Sequence, residues 1–288
     1  MRGVSDQVWN EIVVDGRGNA YINGGALWQN WRQCSARPIV SVGGLMCTVS
    51  FIPKSRGFYL AMNRDEKLNR FTALGPTVIN FARHQAVFPH EPTGGTWISA
   101  NDAGICLALI NWHRFTREPK HDVVSRGEVV RALAGKCTAE EIANGVKKLP
   151  LRKLRPFRLI AIVPSERLVT EWRWNLEWLT MRDQKWRSQH WFSSGFDEPR
   201  AELERQRVCD AAHTHQSAGS LKWLRQLHRS HAPKRGAFSI CMHRSGARTV
   251  SYTEVAVSER RATMRYKSGL CCSDGAMVTR TISRLTGR

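Results

Sequence analysis

The alternation of polar and apolar residues predicts a β-hairpin between residues 48 and 62. An alternating strand, a turn-forming stretch and an apolar strand follow one another at residues 48–52, 53–57 and 58–62. A turn centred on Ser55 places Cys47 opposite Asn63. The thiol then lies at the strand end that carries Arg64 and Asp65.

The rest of the pattern predicts an α+β chain. Strands are predicted at residues 85–88, 96–100, 104–111, 157–163, 167–174, 178–182, 237–243, 249–257 and 262–267. Helices are predicted at residues 125–134, 138–147 and 199–212 and around Leu221, the second with a capping box formed by Thr138 and Glu141. Blocks of antiparallel strands separated by blocks of helices predict a sandwich with helices on both outer faces.

Length and composition fit one globular domain, residues 46–288, preceded by an extension. No stretch approaches the roughly 18 uninterrupted apolar residues of a membrane span, and residues 1–31 lack the pattern of a secretory signal. Among eight cysteines only Cys271 and Cys272 are close in sequence, so their spacing predicts neither a zinc ligand set nor a disulfide framework. We therefore expect no metal site and a reducing, cytoplasmic location.

Residues 1–45 do not belong to the hairpin pattern. The strand, Asp-Gly turn and strand at residues 10–24 resemble one fragment of the gluconolactonase and senescence-marker propeller family. A single propeller hairpin cannot bury a face alone, so we expect this extension to be poorly packed and non-functional. Met46 is then the functional start.

The chain is strongly basic, with 44 Lys and Arg against 24 Asp and Glu and a net charge of +20. Four arginines and three acidic residues in residues 1–46 leave +19 on the main domain, which favours an anionic partner. Basic runs at residues 152–158 and 222–229 resemble nucleic-acid surfaces. The second run also has the spacing of a solvated helix exterior, so nucleic acid is the less favoured partner.

Cys47, Arg64 and Asp65 form the candidate chemistry of the hairpin. A nearby cation lowers a thiol pKa, and a carboxylate can orient an amine. The alternative is an ordinary hairpin with a buried cysteine and a solvated charged corner.

Several motifs in order resemble the NRDE family, whose eukaryotic members are called transport and Golgi organisation protein 2. They are Met46-Cys47-Thr48, Asn63-Arg64-Asp65-Glu66, Gly94-Gly95-Thr96-Trp97, Asn101-Asp102-Ala103-Gly104, Ser125-Arg126-Gly127 and the segments at residues 239–243 and 249–253. The resemblance covers roughly residues 46–272. More distantly, the start resembles N-terminal nucleophile (Ntn) hydrolases of the choloylglycine type, which implies an αββα sandwich of two antiparallel sheets.

The resemblance implies a cysteine hydrolase or acyltransferase acting on an amide or thioester of an anionic acyl ligand. Cys47 is the expected nucleophile, with its own α-amine as base once Met46 is removed or the Met46-Cys47 bond is cleaved. Asp65 would orient the amine, Arg64 would stabilise the thiolate or a substrate carboxylate, and Asn111 would contribute to an oxyanion hole. The expected substrate-binding residues are Asn63, Glu66, Trp97, Asn101 and Arg126. Asn101 is also explained as a turn residue, and Asn111 as a strand end.

One departure from the family pattern weakens the enzyme interpretation. Ser193-Ser194 stands where the related proteins carry an asparagine, and a missing oxyanion donor can cost about 100-fold to 1000-fold in turnover. The segment at residues 196–200 also replaces a motif typical of the eukaryotic members.

The rival interpretation is a binding protein on the same fold. The resemblance implies haem trafficking or lipid and acyl-CoA handling, with no cofactor required for catalysis and haem as a bound ligand. His84 and His113 are the candidate haem ligands.

Overall fold

The computed structural model describes residues 11–14, 20–23, 28–30, 44–115, 117–120 and 122–285. The chain forms two compact units, residues 1–42 and residues 43–288. The first unit contains an antiparallel sheet of β1 (Glu11–Val14), β2 (Ala20–Asn23) and β3 (Trp28–Asn30). The first two are the predicted strands of the extension, and the predicted turn between them lies outside the described residues.

The second unit holds two antiparallel sheets. Its strands are β4 (Gly44–Lys54), β5 (Gly57–Lys67), β6 (Leu74–Phe81), β7 (His84–His90), β8 (Ile98–Asn101), β9 (Cys106–Asn111), β10 (Phe157–Val163), β11 (Leu168–Trp174), β12 (Leu179–Gln184), β13 (Gln189–Gly195), β14 (Ala247–Val257), β15 (Arg261–Ser268) and β16 (Val278–Ser283). One sheet has the order β12-β11-β10-β9-β8-β7-β6, and the other has the order β13-β4-β5-β14-β15-β16.

In the described part of this unit, four helices cover the outer faces of the sheets. They are α1 (Gly127–Leu133), α2 (Ala139–Lys147), α3 (Glu198–His213) and α4 (Leu221–Arg229), with a 3-10 turn at Leu151–Lys153. Thr138 caps α2 by accepting from the Glu141 amide, as predicted. None of the described helices has the length and apolarity needed to cross a membrane.

Apolar side chains fill three layers of this unit. Val49 and Leu60 of one sheet pack with Ile98 and Ile160 of the other in the central layer. On the outer faces, α1 and α2 pack against one sheet and α3 and α4 against the other. Each sheet thus buries both faces, and the predicted αββα sandwich is confirmed.

The predicted register of the first hairpin is wrong by one residue. Lys54 pairs with Gly57 across a two-residue turn, so Cys47 pairs with Arg64 and not with Asn63. Gly57 has φ +129, and a Cβ there would lie 1.9 Å from a backbone oxygen of β14, so the turn closes where only glycine fits. Since paired residues share a face, Cys47 and Arg64 point to the same side of the sheet.

Some predicted elements also need correction. Residues 237–243 do not form a strand, because backbone groups there bond to side chains: Ser239 O accepts from Arg205, and Ile240 O accepts from Asn63. Strands β6, β13 and β16 were not predicted. Strands β6 and β16 are edge strands with mostly solvent-facing residues, so they lack a clear apolar alternation.

Candidate functional site

A cavity of about 360 Å³ lies beside Cys47. Seven residues singled out in the sequence line it: Cys47, Arg64, Asp65, Glu66, Trp97, Asn111 and Arg126. The central strands β4 and β5 supply the first four, and β9 ends at Asn111. The sheets and the start of α1 therefore bring together side chains that are distant in sequence.

The glycines of two family motifs allow the start of α1 to approach the cavity. Thr96 N donates to Gly127 O at 3.1 Å, which joins the two motifs. A Cβ on Gly127 would lie 2.8 Å from Gly95 Cα, so a larger residue would separate them. This contact holds Trp97 and Arg126 in the wall of one cavity.

Cys47 is buried at the cavity wall, with 6% of its surface exposed. Its backbone N–H donates to Ser193 Oγ at 3.2 Å. Burial, followed by the negative charge of Asp65, raises the pKa of the thiol to about 12, and Arg64 opposes this only in part. Arg64 thus lowers the thiol pKa, as predicted, but burial and Asp65 outweigh it in this chain, in which the Cys47 nitrogen is a peptide amide.

Asp65 lies next to Cys47 in a fully enclosed polar network. Its carboxylate accepts from Thr249 Oγ1 at 2.5 Å and from Arg205 Nη2 at 3.4 Å. Burial raises the pKa of Asp65 to about 7, although Arg205 and Thr249 favour the charged form. Asp65 therefore titrates near neutral pH.

Arg205 was not predicted from the sequence to belong to the site. It is fully buried on α3, and it also donates to Thr48 Oγ1 at 2.8 Å and to the Cys47 carbonyl at 3.4 Å. Ala201 and Cys209, four residues before and after it, are buried too. A charged residue in the apolar stripe of a helix was the available signal.

Arg64 is held by acidic neighbours. Its Nη2 contacts Glu66 at 3.0 Å and Glu91 at 2.5 Å, and its guanidinium lies 4.3 Å from the Trp97 ring. Arg70 contacts the same two carboxylates. The predicted substrate-binding residue Glu66 thus belongs to an ion-pair network in the cavity wall.

Arg126 differs from the other cations of the cavity. It donates to Pro156 O at 3.0 Å, and within the described part of the chain no carboxylate lies at ion-pairing distance. Burial and the nearby Arg155 lower the pKa of Arg126 to about 10, so it remains charged at neutral pH. Arg155 itself is paired with Glu118 at 2.5 Å. Arg126 is therefore available to an anionic ligand.

Asn111 ends strand β9 at the cavity, and Ser193 lies on strand β13 next to Cys47. Asn111 lines the cavity with 8% of its surface exposed, and no described residue hydrogen-bonds its side-chain amide. Ser193 pairs with Cys47 across β13 and β4, and its hydroxyl accepts from the Cys47 nitrogen. The serine that replaces the expected asparagine thus touches the backbone of the candidate nucleophile.

Two predicted substrate-binding residues, Asn63 and Asn101, do not line this cavity. Asn63 faces the opposite side of its sheet, where its amide donates to His228 O and Ile240 O at 2.9 Å. Asn101 ties its turn to the end of α1 by donating to the Ala134 and Lys136 carbonyls. Both are buried and lie outside the lining of this cavity, so their contact with a substrate stays a prediction.

The candidate haem ligands are also outside the cavity. His84 lies on β7, where its Nδ1 is 3.0 Å from Asp102 Oδ1. His113 follows β9 and is half-buried. Haem binding through either residue stays a prediction.

Comparison with solved structures supports the fold. A cysteine-to-alanine mutant of conjugated bile acid hydrolase from Clostridium perfringens matches with a TM-score of 0.50 and 8% identity, over 83% of this chain and 97% of that chain. An arginine-to-leucine variant of the same protein gives a TM-score of 0.51 and 8% identity over 84% and 97%. Penicillin V acylase from Agrobacterium tumefaciens gives a TM-score of 0.46 and 10% identity over 82% and 86%. The two bile acid hydrolase structures, at TM-scores of 0.50 and 0.51, thus support an Ntn-hydrolase-like fold for this chain.

Comparison with protein families identifies a family that the sequence matches over most of its length. The sequence model of Transport and Golgi organisation 2 matches residues 46–243. No curated protein matches the chain. The family match begins next to Cys47 and includes all the predicted site residues.

Proposed function

The chain belongs to the Transport and Golgi organisation 2 family, and on this premise we propose that it is a cysteine hydrolase or acyltransferase of the N-terminal nucleophile type. Its substrate is an amide or thioester of an anionic acyl ligand. The observation that carries the proposal is the position of Cys47 in the wall of a 360 Å³ cavity, with Asp65 beside it and the unpaired cation Arg126 across from it. The similar bile acid hydrolase is by name also a hydrolase.

The uncleaved chain is the inactive form. Its Cys47 thiol, with a pKa of about 12, is protonated at neutral pH. Its nitrogen is an amide that donates to Ser193 and cannot act as a base. Catalysis therefore requires that the bond between Met46 and Cys47 be broken.

A free α-amine at Cys47 changes this chemistry. Its reference pKa near 8 lets it take the proton of its own thiol at neutral pH. The ammonium that forms lies beside the thiolate, which stabilises it. The negative charge of Asp65, which acts on Cys47, stabilises it further. Ser193 Oγ, already 3.2 Å from this nitrogen, holds the amine in place.

The reaction then follows two acyl-transfer steps. The thiolate attacks the substrate carbonyl carbon, and the oxygen that becomes negative accepts a hydrogen bond from the Asn111 amide. The intermediate collapses as the ammonium gives its proton to the leaving amine or thiol, which leaves an acyl group on Cys47 sulfur. The α-amine then takes a proton from water, and the water oxygen attacks this thioester. The sulfur leaves as a thiolate, which takes the proton from the ammonium, so the acid is released and the thiol and free amine are restored. An amine or thiol in place of water gives acyl transfer.

Arg126 selects the anionic group of the acyl ligand. The other arginines of the cavity are compensated, because Arg64 and Arg70 contact Glu66 and Glu91. Among the described residues Arg126 has only a carbonyl partner, so a carboxylate, sulfonate or phosphate in the cavity gains a charge-assisted hydrogen bond from it. Trp97 and Leu109 provide apolar wall for the acyl chain.

The test is adduct formation with paired substrates. The chain beginning at Cys47 is incubated with acyl-CoA and N-acyl amides that carry or lack an anionic group on the acyl part, and intact mass is recorded. We expect an acyl adduct on Cys47 and turnover that is lost in Cys47→Ala. Arg126→Gln should raise KM for the anionic acyl substrates by about 10-fold and leave KM for the neutral substrates unchanged. Arg155→Gln, which removes an arginine already paired with Glu118, should change KM little for either kind of substrate.

Two results would overturn the proposal. One is the absence of adduct and turnover with every substrate of the panel. The other is turnover that survives in Cys47→Ala.

A further inference from the structure

Four potential metal ligands meet in a cluster away from the Cys47 cavity. The nitrogens of His231 and His243 and the sulfurs of Cys241 and Cys272 all lie within 4.8 Å of one another. His231 follows α4, Cys241 and His243 precede β14, and Cys272 follows β15. None of them lines the cavity or takes part in the proposed chemistry.

The distances in this cluster match the edges of a zinc tetrahedron. Bonds of about 2.3 Å to sulfur and 2.05 Å to nitrogen place a sulfur and a nitrogen about 3.6 Å apart and two nitrogens about 3.3 Å apart. In the structure His243 Nε2 lies 3.6 Å from Cys241 Sγ, 3.6 Å from Cys272 Sγ and 3.1 Å from His231 Nε2. These separations leave room for one ion between the four atoms.

Hydrogen bonding alone does not account for the arrangement. A neutral imidazole nitrogen offers either one proton or one lone pair. Three polar atoms nevertheless converge on His243 Nε2, so at most one of these contacts is a normal hydrogen bond. A central cation would satisfy all four donors together.

We propose that His231, Cys241, His243 and Cys272 bind one structural zinc ion. Four protein ligands complete the tetrahedral shell and leave no open position for catalysis. Two thiolates balance the charge of the ion, so the site adds no charge to a chain that already carries +20. The spacing of cysteines alone did not indicate the group, because two ligands are histidines and Cys272 comes 29 residues after His243.

Metal binding requires one local rearrangement. Arg235 Nη2 lies 3.3 Å from His243 Nδ1, and a guanidinium can only donate. When Nε2 of His243 binds a metal, Nδ1 carries the proton, so this contact must be released. Arg235 is exposed and free to move toward solvent.

The metal would fix a segment that supports the Cys47 strand. Residues 230–243 form no strand, yet Ser239 O accepts from Arg205 and Ile240 O accepts from Asn63. Two zinc ligands, Cys241 and His243, come directly after these carbonyls. Joining them to Cys272 would hold the segment against the sheet.

The experiment measures metal content and cobalt spectra of the full chain. The protein is purified under reducing conditions without chelator, and we expect about one zinc per chain by mass spectrometry of the metal. The metal-free chain is then titrated with Co²⁺, which should give intense tetrahedral bands and a thiolate charge-transfer band at one equivalent. Zinc should raise the thermal midpoint of the metal-free chain by about 5 °C.

Matched variants locate the site. Cys272→Ser and His231→Gln should lose stoichiometric metal, whereas Cys209→Ser and His215→Gln, outside the cluster, should keep it. Cys137→Ser distinguishes a second group formed by His84, Asp102 and Cys137 and should also keep the metal.

Three outcomes would overturn the proposal. They are no metal uptake by the reduced chain, a cobalt spectrum without thiolate charge transfer, and loss of metal in Cys137→Ser with retention in Cys272→Ser. If a variant of the cluster fails to fold, the cobalt spectrum of Cys137→Ser still decides, because thiolate charge transfer in that variant cannot come from the second group.

Discussion

Replacement of Arg205 by leucine should destabilise the chain, and the loss should grow with pH. Arg205 is fully buried and donates to Asp65 at 3.4 Å, to Thr48 Oγ1 at 2.8 Å and to Ser239 O at 2.9 Å. Removal of one partner of a buried ion pair costs about 3–5 kcal/mol in the free energy of unfolding. We expect a loss in this range near pH 8.

The pH dependence comes from Asp65, whose pKa rises from an ordinary 3.8 to about 7 in the folded chain. The folded state then binds the proton more tightly than the unfolded state, so this carboxyl lowers stability as pH rises from 3.8 toward 7. In the wild type the decline ends above pH 7, because the carboxyl is then ionised in both the folded and the unfolded state, and Arg205 keeps the folded pKa from lying higher. Without Arg205 the pKa of Asp65 rises further and the decline continues, which makes the loss about 1 kcal/mol larger at pH 8 than at pH 6.

Arg158→Leu is the matched control. Arg158 is also buried and donates to Glu171 at 2.6 Å, but Arg173 and Gln184 bond the same carboxylate at 2.9 and 3.0 Å. Burial opposes ionisation, yet Arg158 and Arg173 hold the pKa of Glu171 below its ordinary value. Glu171 therefore stays charged above pH 6, and the cost of this substitution should not change between pH 6 and 8.

The assay is urea denaturation at pH 6 and 8, followed by tryptophan fluorescence at constant salt. The expected result is a pH-dependent difference for Arg205→Leu and a constant one for Arg158→Leu. Equal losses at both pH values for Arg205→Leu would refute the electrostatic account of Asp65.

Two further predictions concern residues near the motifs. Asn101→Ala should lower the free energy of unfolding by about 2–3 kcal/mol in the same urea assay, because the hydrogen bonds to Ala134, Lys136 and Ile105 are lost. A large fall in turnover of the folded variant would instead indicate a substrate contact. Ser193→Ala should reduce kcat of the chain beginning at Cys47 by about 10-fold with KM unchanged, since the amine loses one hydrogen bond. Ser193→Thr should restore kcat. A change in KM alone would contradict the role of Ser193 in holding the amine.

Local patterns predicted the layers of the fold better than the contacts of the site. The strands around Cys47 could be predicted from apolar alternation and turn residues, and the order of the motifs is read directly from the chain. The register of the first hairpin failed because the five turn-forming residues at 53–57 allow a turn on Ser55 or one closed at Gly57, and the packing of Gly57 against β14 decides between them.

The partners of the buried groups could not be predicted, since they come from distant parts of the chain. Ser193 lies 146 residues from Cys47, and Arg205 and Thr249 lie 140 and 184 residues from Asp65. The sequence indicated a cation and a carboxylate near the thiol. It did not indicate that burial would dominate the thiol pKa, because burial depends on packing by all these segments.

The reactivity of Cys47 in chains with and without a free α-amine tests the central claim most directly. Alkylation by iodoacetamide at pH 7 is followed by peptide mass spectrometry in a chain released from a cleavable fusion to begin at Cys47 and in the chain beginning at Met1. With a thiol pKa of about 12 in the uncleaved chain, we predict that the free amine accelerates labelling of Cys47 by at least about 10-fold, while Cys106 labels equally slowly in both. Equal labelling of Cys47 in the two chains would contradict the account.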